Sequence, residues 1–340
     1  MSDTTDLQSV PGAASGAASE SNAASEITRS PEAADLMAAA VKRNQDAGNE
    51  RTDRTYRAGW DAFKTFADRM DFDPLPAPPE GVVMFLEHLA REGYAPNTLD
   101  TYLTAVGVRH TEAGHSDPTK TKPVKRQRKN LRRTTDHTTN KRAPVLLKHL
   151  KAMRFDESSI GDLRDRALLY IGFAGGFRRS ELVGLRREDV EDVEGGAVIR
   201  VRRSKTDQEG KGTMKQIPDR VPALDPTPNE ALAAWCGAAG ITSGPLFRSV
   251  DRWGNVRDNA LSGNSVYRIV RKHIEAIGKD PSRYGAHSLR AGYATQGYMN
   301  GIGEHELAQQ TGHKKLETLR GYQRVNVVMA NHPLSRMTAD

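Results

Sequence analysis

Ala286-His287-Ser288-Leu289-Arg290, followed by Thr311-Gly312-His313 and Gly321-Tyr322, sets two imidazoles, a guanidinium and a phenol within fewer than forty residues. His287 and Arg290 stand three apart, so a helix puts both on one face, where they can meet one ligand. Two earlier stretches supply matching cations: Arg178 and Glu181 in Gly175-Gly176-Phe177-Arg178-Arg179-Ser180-Glu181-Leu182, and Lys205 in Arg203-Ser204-Lys205-Thr206. Arginines, a lysine and imidazoles around one phenol are what a phosphodiester under attack by a tyrosine requires. Each member alone has an ordinary explanation, such as an ion pair for Arg178 or core packing for a helical tyrosine. Their co-occurrence in order carries the signal.

Around these stretches the period reads mostly 3.6. Ile160 to Ala174 is a helix with Leu163, Ala167, Leu168, Tyr170 and Ile171 on one face, stopped by Gly175-Gly176, and Arg179 to Leu185 starts another. The period then drops to two: Ala197 to Arg202 reads as a strand, Asp207 to Gly212 as a turn, and Met214 to Ile217 as its partner. Helices are expected again at 229–239, 263–277, 288–301 and 303–311, and a last one from Leu316 carrying Tyr322. Upstream, helices are predicted from Pro31 to about Val41, over 52–70 through Tyr56, Trp60, Phe63 and Phe66, over 80–92, and from Pro96 through Leu99, Tyr102, Leu103 and Val106. That part reads as a bundle of about four helices. The fold class is therefore mainly α with a small β-sheet.

Charge divides the chain. With 340 residues, a net charge of +7 and a pI near 9.4, it suits a polyanionic partner, though this balance alone decides little. Residues 1–35 carry −5, so the remainder carries +12. Residues 1–34 have almost no large apolar side chains and are expected to be a disordered tail. Lys120, Lys122, Lys125, Arg126, Arg128, Lys129, Arg132 and Arg133 crowd into fourteen positions bracketed by Pro118 and Pro144. We read 120–142 as a basic connector that tracks a phosphate backbone, between a helical unit at 35–119 and a second at 143–340. One cysteine, Cys236, rules out an internal disulfide and reads as a buried thiol. No apolar run spans a bilayer and the N-terminus lacks a secretory pattern, so the expected compartment is the cytoplasm, in association with the nucleoid. No phosphate-cradling loop or metal-ligand spacing stands out, and no metal or cofactor is expected.

With these motifs in view the sequence resembles the tyrosine recombinases of the phage integrase family. The matching residues are Gly176-Phe177-Arg178-Arg179-Ser180-Glu181-Leu182, Ser204-Lys205-Thr206, His287-Ser288-Leu289-Arg290, Gly312-His313, and Tyr322 nine residues beyond His313. The likeness spans about residues 35–335 and is specific in the second unit. It implies an N-terminal helical core-binding domain of SAM-like type and a C-terminal α+β catalytic domain, closing as a C-shaped clamp on DNA. It implies that Tyr322 attacks a DNA phosphodiester to give a 3′-phosphotyrosyl bond, that Arg178 and Arg290 fork onto the nonbridging oxygens, and that Lys205 protonates the leaving 5′-oxygen. His287 is then general base or proton shuttle, His313 donates to the scissile phosphate, and Glu181 orients its neighbours. Energy is kept in the ester, so neither ATP nor metal is called for.

The implied partners are double-stranded DNA with an inverted-repeat recombination site and three further copies of the chain. The homotetramer would be coupled by a tail whose apolar residues are Val325, Val327, Val328, Met329, Leu334 and Met337. No arm-binding domain is expected ahead of residue 35. Expected DNA-contacting residues are Lys122, Lys125, Arg126, Arg128, Lys129, Arg132 and Arg133 in the connector and Asn97, Thr98 and Tyr102 in the first domain. The alternative reading is relaxation of DNA in the manner of a type IB topoisomerase, which uses a similar site.

Overall fold

The computed structural model describes residues 50–134, 142–202, 212–221 and 223–323, together with Glu32, Asp35, Leu36 and Ala39. The expected tail at 1–34 apart from Glu32, most of the helix expected from Pro31, Lys205 with most of the turn expected after it, and the apolar residues from Val325 to Met337 lie outside the described residues. The chain divides into two compact units, 1–139 and 140–340.

The first unit is built from α1 (Glu50–Arg69), α2 (Pro79–Arg91), α3 (Pro96–Glu112) and α4 (Lys122–Thr134). Prolines open α2 and α3 at their first helical position, where the missing N–H costs nothing. Phe63, Phe66, Phe85, Leu86, Leu103 and Val106 form the core, and the Phe63 and Phe85 rings meet edge to face at 5.1 Å. Gly59 lets α1 and α3 approach closely: a Cβ there would stand 3.0 Å from the Tyr102 ring.

The basic stretch departs from the expectation of a connector. Residues 122–134 are the fourth helix of this unit, because Val124 and Leu131, seven apart, bury one side of it in the core. Its opposite side keeps Lys122, Lys125, Arg126, Lys129 and Arg133 exposed. Arg128, through Nε at 2.6 Å, and Arg132 both donate to the Asp100 carboxylate on α3. Burial works against that carboxylate, but the two guanidinium groups hold it below its ordinary range.

The second unit is organised on α6 (Ile160–Ala174), preceded by the short α5 (Leu147–Ala152). Leu168, Leu169 and Ile171 are fully buried, packed between α8 (Pro228–Ala238) and α10 (His287–Met299). Trp235 of α8 is wholly enclosed, its indole N–H donating to the Leu246 carbonyl at 2.9 Å. Between α7 (Arg179–Gly184) and α8 lies an antiparallel sheet of β1 (Val190–Val193), β2 (Gly196–Val201) and β3 (Thr213–Pro218), in that order. Ala197, Ile199 and Val201 of β2 point inward, and across from Ile199 stands Lys215 of β3, also inward. A second hairpin, β4 (Arg248–Val250) and β5 (Val256–Ala260), leads into α9 (Gly263–Ala276). Two short helices, α11 (Glu304–Thr311) and α12 (Leu316–Arg320), end the described chain. Among the described residues no helix is long and apolar enough to cross a membrane.

Candidate active site

Arg178 ends an extended approach and caps α7. Its backbone N–H and its Nη1 both donate to the buried carboxylate of Glu181, at 2.8 and 2.6 Å. The Gly175-Gly176 break makes this possible. Gly176 is left-handed at φ +56°, and a Cβ on Gly175 would lie 2.0 Å from the Phe177 ring. The guanidinium is aimed across the unit, where Nη2 reaches the Gly312 carbonyl at 3.2 Å.

Arg290, one turn into α10, is 1% exposed. Its Nη1 donates to the carbonyls of Gly176, at 2.8 Å, and Thr311, and its Nη2 lies 3.1 Å from His313 Nε2. Burial, with help from nearby Arg178, brings its pKa down to about 10, which leaves it cationic at neutral pH. A third cation arrives unannounced. Lys215, 2% exposed, donates from Nζ to the Gln310 carbonyl.

Those three carbonyls are consecutive. An α-helix leaves its last four C=O groups without intrahelical partners and carries partial negative charge there. The end of α11 has its carbonyls at 310, 311 and 312 taken by Lys215, Arg290 and Arg178, from β3, α10 and the α7 cap. Gly312, at φ 68° and ψ 41°, supplies the left-handed turn that closes the helix and leads to His313.

His313 is held in one tautomer. The Thr311 hydroxyl donates to the Leu307 carbonyl, so it accepts from His313 Nδ1–H at 2.7 Å, and Nε2 is left to accept from Arg290. Burial, then the charges of Arg290, Arg178 and its other cationic neighbours, pushes this imidazole down to about 4. His287 opens α10 with one edge to solvent and the other among the cations. Its pKa is also lowered, by desolvation first and then by Arg290 and Arg178.

Tyr322 lies between the two imidazoles. Its hydroxyl is 2.8 Å from His287 Nε2, and its ring centroid is 5.7 Å from that of His313. Helix α12 stops at Arg320, and Tyr322 sits in the turn beyond it, its N–H bonded to the Leu319 carbonyl at 2.9 Å. The tyrosine is thus carried by a turn rather than by the helix expected there.

Five of the six expected catalytic residues, Arg178, His287, Arg290, His313 and Tyr322, converge with Glu181. The sixth, Lys205, lies outside the described residues. In the first unit Asn97 is exposed at the start of α3, but Tyr102 stacks on Phe85 at 6.5 Å and is half-buried in the core, which limits its reach. Lys215 escaped the sequence reading, although alternation from Ile217 places it inward. Asp162, Asp165 and His273 form a grouping with donor atoms suited to a metal, but the Lys272 ammonium is seated on the two carboxylates at 2.8 and 3.4 Å.

A model of the phage integrase family matches residues 139–328. The chain is similar to an integrase/recombinase XerD homolog of Selenomonas ruminantium, 33% identical over 307 residues that cover 89% of each chain. It is more distantly similar to the recombinase Cre of Escherichia phage P1, 22% identical over 77% of this chain and 80% of that one. Among solved structures it resembles a lambda integrase (75–356) dimer bound to a COC′ core site, with TM-score 0.58 and 20% identity over 84% of this chain and 94% of that one.

Proposed function

The chain belongs to the phage integrase family of tyrosine recombinases, and from that premise we propose that Tyr322 is the nucleophile of a DNA strand transferase. The activity is site-specific recombination of DNA. The observation that carries the assignment is the 2.8 Å contact between the Tyr322 hydroxyl and His287 Nε2. A general base must reach the proton it removes and be unprotonated at working pH, and the lowered pKa of His287 meets the second condition.

The Tyr322 oxygen attacks phosphorus as its proton passes to His287, a P–O(Tyr) bond forms, and the bond to the 5′-oxygen breaks. The products are a 3′-phosphotyrosyl ester and a free 5′-hydroxyl, whose proton Lys205 supplies. Arg178 and Arg290 stabilise the added charge on the nonbridging oxygens, and their planar forks suit that task better than ammonium groups. Both are held on backbone carbonyls before DNA arrives, so their positions are set in advance. His313 Nε2 faces Arg290 as an acceptor. An incoming phosphate that engages Arg290 raises the imidazole pKa and lets the protonated ring donate to it.

The exposed cations Lys122, Lys125, Arg126, Lys129 and Arg133 are proposed to neutralise backbone phosphates, with Arg128, Arg132, Asn97, Thr98 and Tyr102 as further contacts. The working assembly is proposed to be a homotetramer on two inverted-repeat sites, linked through residues beyond Tyr322 and acting in the cytoplasm at the nucleoid. Two assays test the chemistry. On a nicked suicide duplex the wild-type chain should accumulate a covalent adduct that Tyr322→Phe cannot form; an adduct that persists in Tyr322→Phe refutes the assignment. Lys205→Ala should cleave slowly, and a 5′-thiolate leaving group, which needs no protonation, should restore it.

A further inference from the structure

Lys215 has no part in the scheme above, yet it occupies a place that disfavours a lysine. It stands at an inward-facing position of β3, opposite Ile199 and two residues from buried Ile217. Lysine is rarely enclosed to this degree without a reason beyond packing. Among the described residues its ammonium meets no carboxylate. It donates to the carbonyl of Gln310, the first of the three that terminate α11, and a Cβ on Gly312 would lie 3.7 Å from Nζ. The neighbouring residue grips the same point: the Gln310 side-chain amide donates to the Gln216 carbonyl at 2.8 Å and to that of Ala174 at 3.1 Å. Strand β3 therefore fastens the end of α11 twice, and the two arginines hold the carbonyls that follow.

We infer that Lys215 is a positioning residue of the recombination site, whose charge fixes the Gln310–His313 turn and thereby sets where Arg178, Arg290 and His313 meet the scissile phosphate. The inference rests on the phosphotyrosyl reading above. The groups that face the ammonium are Glu181 and Arg178 from α7 and its cap, Arg290 from α10, and His313 beyond α11; the paired residue of β2, Ile199, brings no charge. Burial, opposed by Glu181 and reinforced by Arg290 and Arg178, brings its pKa down to about 8. The charged form that grips the turn is thus present at neutral pH and lost as pH rises above about 8. A bound phosphate, being an anion, moves that limit upward.

The test is single-turnover cleavage of a suicide duplex by the full chain from pH 6 to pH 9, below the range where Arg290, with a pKa of about 10, gives up its proton. The wild type should lose rate by about tenfold on an alkaline limb at or above pH 8, the difference between a charge-assisted and a neutral hydrogen bond. Lys215→Met keeps the length and drops the charge; it should cleave about tenfold more slowly at pH 7, lack that limb, and gain nothing from a 5′-thiolate substrate. Lys215→Arg, which stays charged throughout, should recover most of the lost cleavage and also lack the limb. Wild-type rate and an unchanged limb in Lys215→Met overturn the inference. So does rescue of that variant by the 5′-thiolate, which would make Lys215 a proton donor to the leaving group. Should Lys215→Met not fold, an unchanged limb in Lys215→Arg overturns it equally. Failure of the wild type to form any adduct is a separate result: it removes the phosphotyrosyl reading and this one with it.

Discussion

Helix α4 and the end of α11 both gather cations, and they treat them in opposite ways. On α4, Lys122, Lys125, Arg126, Lys129 and Arg133 lie in solvent on a helix anchored by only two buried side chains, Val124 and Leu131. At α11, Arg290 and Lys215 are 1% and 2% exposed, and both have lowered pKa values. A solvated charge attracts a phosphate weakly, through salt, and independently of its neighbours. A buried charge attracts strongly, but only from the place where it has been fixed. The same residue types serve affinity in one unit and geometry in the other.

Experiments can break that contrast. The largest effect should come from Arg290→Lys, which keeps the charge and removes the fork. Single-turnover cleavage on a suicide substrate should fall about a hundredfold or more, and a fall below threefold would show that charge alone suffices. Next comes acid sensitivity of the second unit. The unfolded chain protonates His313 near the ordinary 6.5, whereas the folded chain resists until about 4. The contribution of this imidazole to stability is therefore complete above pH 6.5 and declines as pH falls toward 4. Urea midpoints should drop across that window, and His313→Gln should flatten the drop; an equal slope in both chains would place the titration elsewhere.

His287 gives a direct reading of the same environment. Its imidazole should titrate by NMR in the DNA-free protein with a midpoint below 6.5, and a midpoint above that value contradicts its place among the cations. The smallest effects belong to α4. Replacing Lys125, Arg126 and Lys129 together by Gln should weaken DNA binding measured by fluorescence anisotropy. It should lower the slope of log affinity against log salt by about 0.9 for each lost phosphate contact, roughly 2.7 in all. If these changes slow cleavage at saturating DNA as much as Arg290→Lys does, the division between affinity and geometry fails.

Most of the helices were legible because their faces repeat at three and four: Trp60, Phe63, Phe66 and Ala67 on α1, and Leu168 and Ile171 on α6, needed nothing beyond spacing. Short elements were not legible. Strand β1, Val-Glu-Asp-Val, is largely exposed and carries no alternation to detect, and β4 has three half-buried residues. Helix α4 was hidden by its own charge, since seven cations outweigh two apolar residues seven apart. Sequence order revealed which residues share the site, but not what holds them. The parking of Arg178 and Arg290 on carbonyls is a backbone property, and no side-chain motif encodes it. Lys215 lies between these cases: strand period two predicts that it faces inward, yet a lysine facing inward is what pattern reading discounts.

Gly312 has no side chain and takes no part in chemistry, but its left-handed turn is where three elements converge. A change there moves three cations together, so its effect should not be the sum of the effects of touching each in turn. The site is thus buffered against drift at its periphery and brittle at one atomically small point. Variants that tune the enzyme would be expected to accumulate in the strands and helices that bring the cations in, while the turn they share stays as it is.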